Sequence, residues 1–458
     1  MAKVKEMTEG NPLPLILNFS IPLVLGNLLQ QTYFLIDAAI VGQFLGINAL
    51  ASVGASSSVI FLILGFCSGC CGGFGIPVAQ KFGARDYVSM RRLVAVSLKL
   101  SLGMSLVMAV ITSLLCSSIL EWMQTPDNIM HGAYLYLLIT FIGIPCSFFY
   151  NLLSSIIRAL GDSKTPFLFL LFSTVLNILL DLLCIIVFGW GVAGAAIATV
   201  VAQGVSAVLC FRYMYKKYEI LHTEVADRKF RPELAKQLLF IGAPMGLQFS
   251  ITAIGSIMLQ SSNNALGTAC VAAFTAAIRV KMVFLCMLEA LGIAMATYCG
   301  QNYGAGKPER IWQGVKSAGF LMVIYVIFVN LILWNFSADL STLFVDASET
   351  EIIEKAALYL HVSAVFFPVL GILCILRYSI QGSGYTQLAM FSGVAEMIAR
   401  TLVSVVAVPI WGYTAVCFGD SIAWVCAVLF LIPAFIYVYR RLLKIVQHDR
   451  DMGVVHAE

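Results

Sequence analysis

The chain has 458 residues, of which 60% are hydrophobic and only 11% are charged, and its formal net charge is +4. A soluble globular protein carries about 25% charged residues, so this composition excludes an ordinary soluble domain and indicates a membrane protein. The apolar residues form blocks of about twenty, long enough for a helix to cross a bilayer, and lack the alternating pattern of a β-barrel. The small positive charge requires no nucleic-acid partner, because it arises from loops beside the membrane.

Twelve apolar blocks follow one another along the chain, and we predict that each forms a transmembrane span. The first block has full length, which favours a retained span over a cleaved signal peptide. Glycine and proline interrupt several blocks, as membrane helices tolerate. In chain order, spans 1 to 12 are predicted at residues 13–43, 50–77, 91–116, 133–158, 166–188, 191–213, 237–261, 270–299, 314–337, 356–382, 386–409 and 412–439.

The basic residues predict the orientation of these spans. With the N-terminus in the cytoplasm, 23 of the 28 Lys and Arg residues fall on the cytoplasmic side, and only Lys355 falls outside. Cytoplasmic loops carry such an excess of basic residues. We therefore predict a multi-pass protein of the bacterial plasma membrane with both termini in the cytoplasm. The remaining four bases fall within spans and are Lys99, Arg279, Lys281 and Arg400.

The two halves of the sequence repeat at an offset near 221 residues. The run QKFGA at 80–84 recurs as QNYGA at 301–305, and the Trp-Gly pair at 190–191 recurs at 411–412. Six spans separate equivalent points, so both halves enter the membrane the same way round. Parallel six-helix repeats are an architecture of transporters.

The predicted fold is therefore an all-α polytopic membrane protein with twelve helices in two parallel-repeat lobes of six. The N-terminal lobe is expected at 1–215 and a cytoplasmic inter-lobe linker at 216–236. The C-terminal lobe is expected at 237–441 and a cytoplasmic tail at 442–458.

Four polar side chains of the N-terminal lobe are predicted to meet at one depth in the membrane. Asp37, Asp181 and Thr199 each lie seven or eight residues from the outer end of a span, which is about 10–12 Å along a helix. Asn177 is one turn from Asp181. Two neighbouring carboxylates in an apolar site cannot both stay ionised unless a cation binds. We predict a coupling site for H⁺ or Na⁺; the alternative is a hydrogen-bonded contact between helices.

The second half also carries charges within its spans. Glu289 and Arg279 lie on span 8, and Glu396 and Arg400 lie four residues apart on span 11. These four residues form a candidate second site, although a neutralising ion pair also explains the span 11 residues. Asp420 lies near the outer end of span 12, where we expect it to reach water.

A hinge is predicted in the first third of span 1. Pro22 removes a backbone hydrogen bond there, and Gly26 follows one turn later.

Taken together, the motifs resemble those of the multidrug and toxic compound extrusion (MATE) transporters along essentially the whole chain, and most closely the DinF-like and MepA-like branch. The matching residues are Ser20-Ile21-Pro22 with Asp37, Gln80 with Gly83-Ala84, the run 158–162 (RALGD), Asn177 with Asp181, the run 276–279 (AAIR), and the run 301–305 (QNYGA).

This resemblance implies a V-shaped arrangement of two six-helix lobes around a central cavity. It also implies that Asp37, Asn177, Asp181 and Thr199 form the N-lobe cation site, and that Glu289 matches an acidic position of some members. Other branches of the family use an acidic position on span 7, where this chain has only the polar residues Gln248 and Gln260.

The predicted function is secondary active efflux of hydrophobic organic cations, in exchange for protons or sodium, by alternating access. The five acids within spans exceed the four bases, which favours cationic substrates. We expect a monomer in the lipid bilayer that uses no cofactor except the coupling ion and no metal except Na⁺ at Asp37 and Asp181. One alternative is a flippase for lipids or lipid-linked oligosaccharides. A more remote one is a membrane enzyme, for which paired-aspartate and histidine-rich motifs are missing.

Overall fold

The computed structural model describes residues 6–222, 224, 227 and 229–451, with side chains as far as His448, and this part of the chain is almost entirely helical. Two short π-helical segments, Leu183–Val187 and Val403–Ala407, continue α7 and α13. The α-helices are α1 (Pro12–Leu45), α2 (Ile47–Gly83), α3 (Tyr87–Leu114), α4 (Cys116–Trp122), α5 (Asp127–Ile142), α6 (Ile144–Ala159), α7 (Lys164–Leu182), α8 (Gly191–Lys217), α9 (Pro232–Asn264), α10 (Thr268–Gly304), α11 (Pro308–Ser341), α12 (Thr350–Gly382), α13 (Thr386–Leu402), α14 (Val408–Trp411) and α15 (Tyr413–Asp451).

The predicted polytopic all-α fold is confirmed. Within the described residues, eleven helices are long and apolar enough to cross a membrane, or twelve when α5 and α6 count as one span bent by 48°. The bend falls at Gly143, where an added Cβ would lie 2.2 Å from a methyl of Val200 in α8. Pro145 follows at the start of α6 and lacks the N–H that would continue the helix. The close approach of α8 and the proline therefore break predicted span 4 in two.

The internal repeat extends to the backbone geometry. The two π-helical segments begin 220 residues apart, at Leu183 and Val403. The turns before α2 and α10 each contain a glycine in the left-handed region, Gly46 with φ 86° and Gly267 with φ 101°. Residues with a Cβ rarely adopt such angles, so both halves require glycine at the same turn.

The chain divides into two compact units whose membership differs from the predicted lobes. Unit 1 contains Glu6 and Leu25–Gly246, and unit 2 contains Met7–Val24 and residues 247–451. Helix α1 therefore begins in unit 2 and continues in unit 1, whereas α9 begins in unit 1 and continues in unit 2. The predicted tail at 442–458 starts as the end of α15, and residues 452–458 lie outside the described part.

Residues 7–24 belong to unit 2 because the repeated QNYGA run holds the segment before α1. Gln301 Oε1 accepts a hydrogen bond from the backbone N–H of Met7 at 2.8 Å. Asn302 Nδ2 and a guanidinium nitrogen of Arg310 donate to the Met7 carbonyl at 3.1 and 3.2 Å. Met7 is almost fully buried. The motif recognised in the sequence thus anchors the start of α1.

The first half of α9 belongs to unit 1 because glycines let it approach α2 closely. A Cβ added to Gly73 of α2 would lie 2.5 Å from the Cα of Gly242 in α9. One turn later, a Cβ on Gly246 would lie 2.8 Å from the carbonyl oxygen of Phe66. Small residues at such crossings allow the backbones of membrane helices to pack directly.

The predicted inter-lobe linker is attached to unit 1 by a buried carboxylate. Asp227 accepts hydrogen bonds from Nε of Arg91 at 3.1 Å and from Nε of Arg92 at 3.2 Å, both on α3. The Asp227 side chain is only 4% exposed. Burial raises the pKa of this carboxyl, but the hydrogen bonds and positive charge of Arg91 and Arg92 outweigh burial and hold the pKa below its ordinary value.

We predict that Gly73→Ala destabilises the protein, because its methyl group meets backbone atoms of α9 that cannot move away. The expected cost is about 1–3 kcal/mol, typical of overpacking, and thermal unfolding in detergent measures it. The matched control is Gly54→Ala in the same helix, where no atom lies within 4 Å of the new Cβ. Equal melting temperatures for the two variants would contradict the close packing of α2 and α9.

Asp227→Asn should also lower the melting temperature, because it leaves two arginines without their shared carboxylate. A loss of about 1–3 kcal/mol is expected at neutral pH. Since the folded-state pKa is depressed, this contribution is present at neutral pH and disappears as pH falls through the folded-state value. The control is Glu351→Gln, which breaks the exposed pair with Lys355 and should change little. A pH-independent difference between Asp227→Asn and wild type would contradict this assignment.

Candidate functional site

The four polar residues predicted to meet in the N-terminal lobe do meet within unit 1. Asp37 comes from α1, Asn177 and Asp181 come from α7, and Thr199 comes from α8. Asp37, Asn177 and Asp181 are 7%, 3% and 0% exposed. Counting residues from the outer span ends was therefore sufficient to find this cluster.

Hydrogen bonds join α7 and α8 at the cluster. The orientation of the Asn177 amide that satisfies its neighbours directs the nitrogen to Asp181 and the oxygen to Thr199. In that orientation the nitrogen donates to Asp181 Oδ2 at 3.0 Å. The oxygen accepts from the backbone N–H of Thr199 at 3.0 Å and from its hydroxyl at 3.2 Å. Asn177 therefore fixes the position of Asp181 against α8.

The two carboxyl groups are neighbours. Asp37 and Asp181 lie close enough to each other for a side-chain hydrogen bond. A hydrogen bond between two carboxyls requires a proton on one of them, since an ionised carboxylate only accepts. The other oxygen of each group, Oδ1, is buried and lacks a partner among the described residues. The pair thus has buried oxygens with remaining capacity to bind a proton or a small cation.

Two tyrosines complete the site and were not predicted from the sequence. The hydroxyl of Tyr33, one turn before Asp37 on α1, lies 3.1 Å from the Thr199 hydroxyl. Tyr136 of α5 lies within electrostatic range of both Asp37 and Asp181. Tyr33 could have been found from the sequence, because it lies four residues before Asp37 on the same helix face. No sequence signal pointed to Tyr136, because α5 joins the cluster only through tertiary packing.

The backbone beside the cluster is irregular. A π-helical segment begins at Leu183, two residues after Asp181, and such segments often occur at functional sites.

The predicted hinge residues Pro22 and Gly26 lie on either side of the position where α1 passes from unit 2 into unit 1. Gly26 lies against α7, where an added Cβ would be 3.5 Å from the Leu170 side chain.

In unit 2, the predicted pair of Glu396 and Arg400 forms, with 3.3 Å between charged atoms. The pair is part of a larger cluster. Arg400 Nε also donates to Asp420 Oδ1 at 2.8 Å, and Lys281 Nζ lies 2.5 Å from Asp420 Oδ2. The expectation that Asp420 reaches water was wrong, because its side chain is only 13% exposed and is held by two bases from other helices.

A third base joins this cluster and changes the charge count. Arg377 was assigned to the cytoplasmic turn before span 11, but it lies inside α12 and is 7% exposed. Its guanidinium donates to Glu396 Oε1 and, at 3.0 Å, to the hydroxyl of Ser392. With Arg377 added, the acids and bases counted within the predicted spans are five and five, so the predicted excess of acids disappears. The cytoplasmic count of Lys and Arg falls from 23 to 22, against one outside.

The remaining members of the candidate second site are placed differently. Glu289 and Arg279, both on α10, have exposed side chains and lie outside the cluster of Arg400. Gln248, on predicted span 7, is buried and accepts a hydrogen bond from Gln381 at 2.7 Å. Gln260 on the same helix is bonded to Asn264, one turn away. The four predicted residues thus separate into a buried pair and two exposed side chains.

Comparison with known proteins identifies the family. The MatE family model matches residues 22–183 and 244–406, once in each half, in agreement with the internal repeat. The probable multidrug resistance protein YpnP of Bacillus subtilis is 31% identical over 382 residues, covering 83% of this chain and 85% of that protein. The multidrug export protein MepA of Staphylococcus haemolyticus is 22% identical, covering 95% and 96%.

Solved structures share the fold. A multidrug resistance MATE family transporter of the MOP superfamily, in an outward-facing conformation, matches with a TM-score of 0.89 and 23% identity over 97% of this chain and 98% of that one. The two matched repeats cover more than half of the sequence, and the described helices are those of a multi-pass membrane protein. The chain therefore belongs to the MatE family, the multidrug and toxic compound extrusion transporters.

Proposed function

We propose that this protein exports hydrophobic organic cations in exchange for protons or sodium, with Asp37 and Asp181 as the coupling site. The observation that carries the proposal is the buried contact between these two carboxyls in unit 1, with unpartnered Oδ1 atoms on both. Family membership and the names of the relatives support efflux of drugs over an enzymatic activity or a flippase.

The coupling cycle follows from the chemistry of two buried acids. When both are ionised, their mutual repulsion and their removal from water strongly favour uptake of a cation. A proton or Na⁺ entering from outside reduces the negative charge of the pair from −2 to −1, so a cationic substrate is attracted less strongly and leaves. Binding of either cation thus weakens binding of the other, the reciprocal coupling that antiport requires.

The surrounding side chains have supporting roles in this proposal. Asn177 holds Asp181 through its amide nitrogen, and Thr199 and Tyr33 supply hydroxyl oxygens beside the pair. Oxygen donors of this kind also suit a hard cation such as Na⁺.

We also propose that the protein is a monomer of the plasma membrane with both termini in the cytoplasm. The support for this topology is the bias of basic residues, with 22 on the predicted cytoplasmic side against Lys355 outside.

Pro22 and Gly26 are the proposed hinge of α1, since a proline leaves a carbonyl without its helical partner and permits bending.

We predict that Asp37→Asn and Asp181→Asn each abolish energised export while the protein stays folded. Transport of ethidium is measured in proteoliposomes under separately imposed proton and sodium gradients, with thermal unfolding as the folding test. Asn177→Ala and Thr199→Ala should cause smaller losses, since each removes a neutral hydrogen bond worth about 1 kcal/mol, or about fivefold in affinity for the ion.

The matched control is Asp346→Asn, in the described loop between α11 and α12, which should transport like wild type. Wild-type export by Asp37→Asn or Asp181→Asn would show that the pair is not the coupling site. If only one of the two gradients drives ethidium export, the ion of that gradient is the coupling ion.

A second prediction concerns the charge of the substrate. Because unit 1 has two acids at its buried site, expression should raise resistance to monovalent cations such as ethidium and tetraphenylphosphonium, but not to anionic compounds of similar size. Cell growth in the presence of each compound measures this difference. Preferential export of anionic dyes or of lipid-linked sugars would refute the proposed substrate class and favour the flippase alternative.

A further inference from the structure

Unit 2 contains a chain of five charges that begins and ends with a base. In order, the chain is Arg377, Glu396, Arg400, Asp420 and Lys281, and each member is ion-paired with the next. The signs alternate, so each acid contacts two bases and the total charge is +1. All members are buried except Asp420, whose side chain is 13% exposed.

The Lys281 end of the chain is held by two hydrogen bonds and two aromatic faces. Lys281 Nζ lies 2.5 Å from the hydroxyl oxygen of Tyr359 and 2.5 Å from Asp420 Oδ2. The Tyr359 hydroxyl donates its own proton to Asp420 Oδ2 at 2.8 Å, so it accepts from the lysine. The lysine also faces the rings of Tyr359 and Trp424, with its nitrogen 4.8 and 5.9 Å from their centroids. Aromatic faces attract a cation.

Donors without partners occur at the centre of this chain. Arg400 is 4% exposed, and its NH1 nitrogen has no hydrogen-bond partner among the described residues. Two buried hydroxyls, those of Ser404 and Ser421, likewise have none. Ser404 follows Arg400 by four residues, and Ser421 is the neighbour of Asp420. An unsatisfied guanidinium nitrogen is costly in a membrane protein, where neutral donors and charges alike require partners.

An excess positive charge in this position requires an anion. Both acids already contact two bases, and neither Glu289 nor Arg279, which are exposed residues of α10, forms an ion pair with a member of the chain. A buried charge without a partner costs several kcal/mol, and a bound counter-ion is one of the ways in which a protein removes that cost.

We propose that unit 2 binds one small monovalent anion at Arg400, either free chloride or the carboxylate group of a substrate. The NH1 group of Arg400 donates to the anion, and the unpartnered hydroxyls of Ser404 and Ser421 are the candidates for further donors. The anion brings the total charge of the chain to zero. This site is separate from the coupling site in unit 1 and does not rest on the proposed direction of transport.

The experiment measures anion-specific stabilisation of the purified full-length protein. Thermal unfolding is recorded in sodium isethionate, a bulkier anion without a carboxylate, with chloride or formate replacing isethionate at constant sodium and ionic strength. A ligand that binds only the folded state stabilises it in a saturable way. We expect chloride, formate or both to raise the melting temperature by about 2–4 °C with saturation. A rise in melting temperature with chloride indicates that the site binds a free halide ion. A rise with formate alone indicates that the site binds the carboxylate group of a substrate.

The decisive variant is Lys281→Met, which removes the terminal base and leaves a neutral chain of four charges. Asp420 keeps its bonds to Arg400 and Tyr359. We expect this variant to lose the anion response and to be at least as stable as wild type in isethionate. The matched control is Lys316→Met, since Lys316 also faces a tryptophan, Trp312, at 5.7 Å but lies outside the chain. The control should respond like wild type.

Two further measurements keep the test decisive if Lys281→Met does not fold. Lys281→Arg retains the charge and should retain the anion response. Radioactive chloride should bind wild type at one ion per chain in a scintillation proximity assay, and formate should displace it if both enter one site. The proposal is overturned if neither anion stabilises wild type beyond isethionate, or if Lys281→Met responds as wild type does.

Discussion

The constraint on which this structure depends is that a charge placed among membrane helices must be paired, neutralised or left facing water. Its two units satisfy that constraint differently. Unit 1 has two buried carboxyls beside each other. Unit 2 has five charges in an alternating chain, in which each acid lies between two bases. One unit therefore has the proposed cation site, whereas the other has a network of ion pairs.

This asymmetry arises on a backbone that repeats closely. The π-helical segments and the left-handed glycines occur at equivalent positions of both halves, yet the polar residues beside them differ. Thr199 of the first half corresponds to Asp420 of the second at the same offset of 221 residues. A repeated scaffold with different side chains allows the two units to have different chemistry without a change of fold.

The sequence was sufficient for the features that depend on one helix at a time. Block length located the spans, and counting from the span ends brought Asp37, Asp181 and Thr199 to one depth. The ion pair of Glu396 and Arg400 also followed, because the two residues are one turn apart. The bend at Gly143 was missed, since its cause is the approach of Val200 from another helix.

The features that depend on packing between helices could not be read from periodicity. Asp420 is paired with Lys281 and Arg400, which are 139 and 20 residues away in the sequence. Arg377 was assigned to a turn because it lies near the end of a predicted span. In the structure it is part of α12, and its buried side chain is paired with Glu396 of α13. Tyr136 joins the acidic pair only through the position of α5. In each case a long-range contact decided the environment of the residue.

The exchange of half-helices between the two units has a consequence for biogenesis. Residues 7–24 are synthesised first but belong to a unit whose other parts follow residue 246, so they must wait for the ribosome to complete the second half. Unit 1 likewise needs the first half of α9 before its packing is complete. If the repeat arose by duplication and fusion of one gene, an ancestral single-length protein with this packing would have paired as a dimer that swapped the ends of its first helices. On that route, fusion would have turned an exchange of helix ends between two chains into an exchange within a single polypeptide.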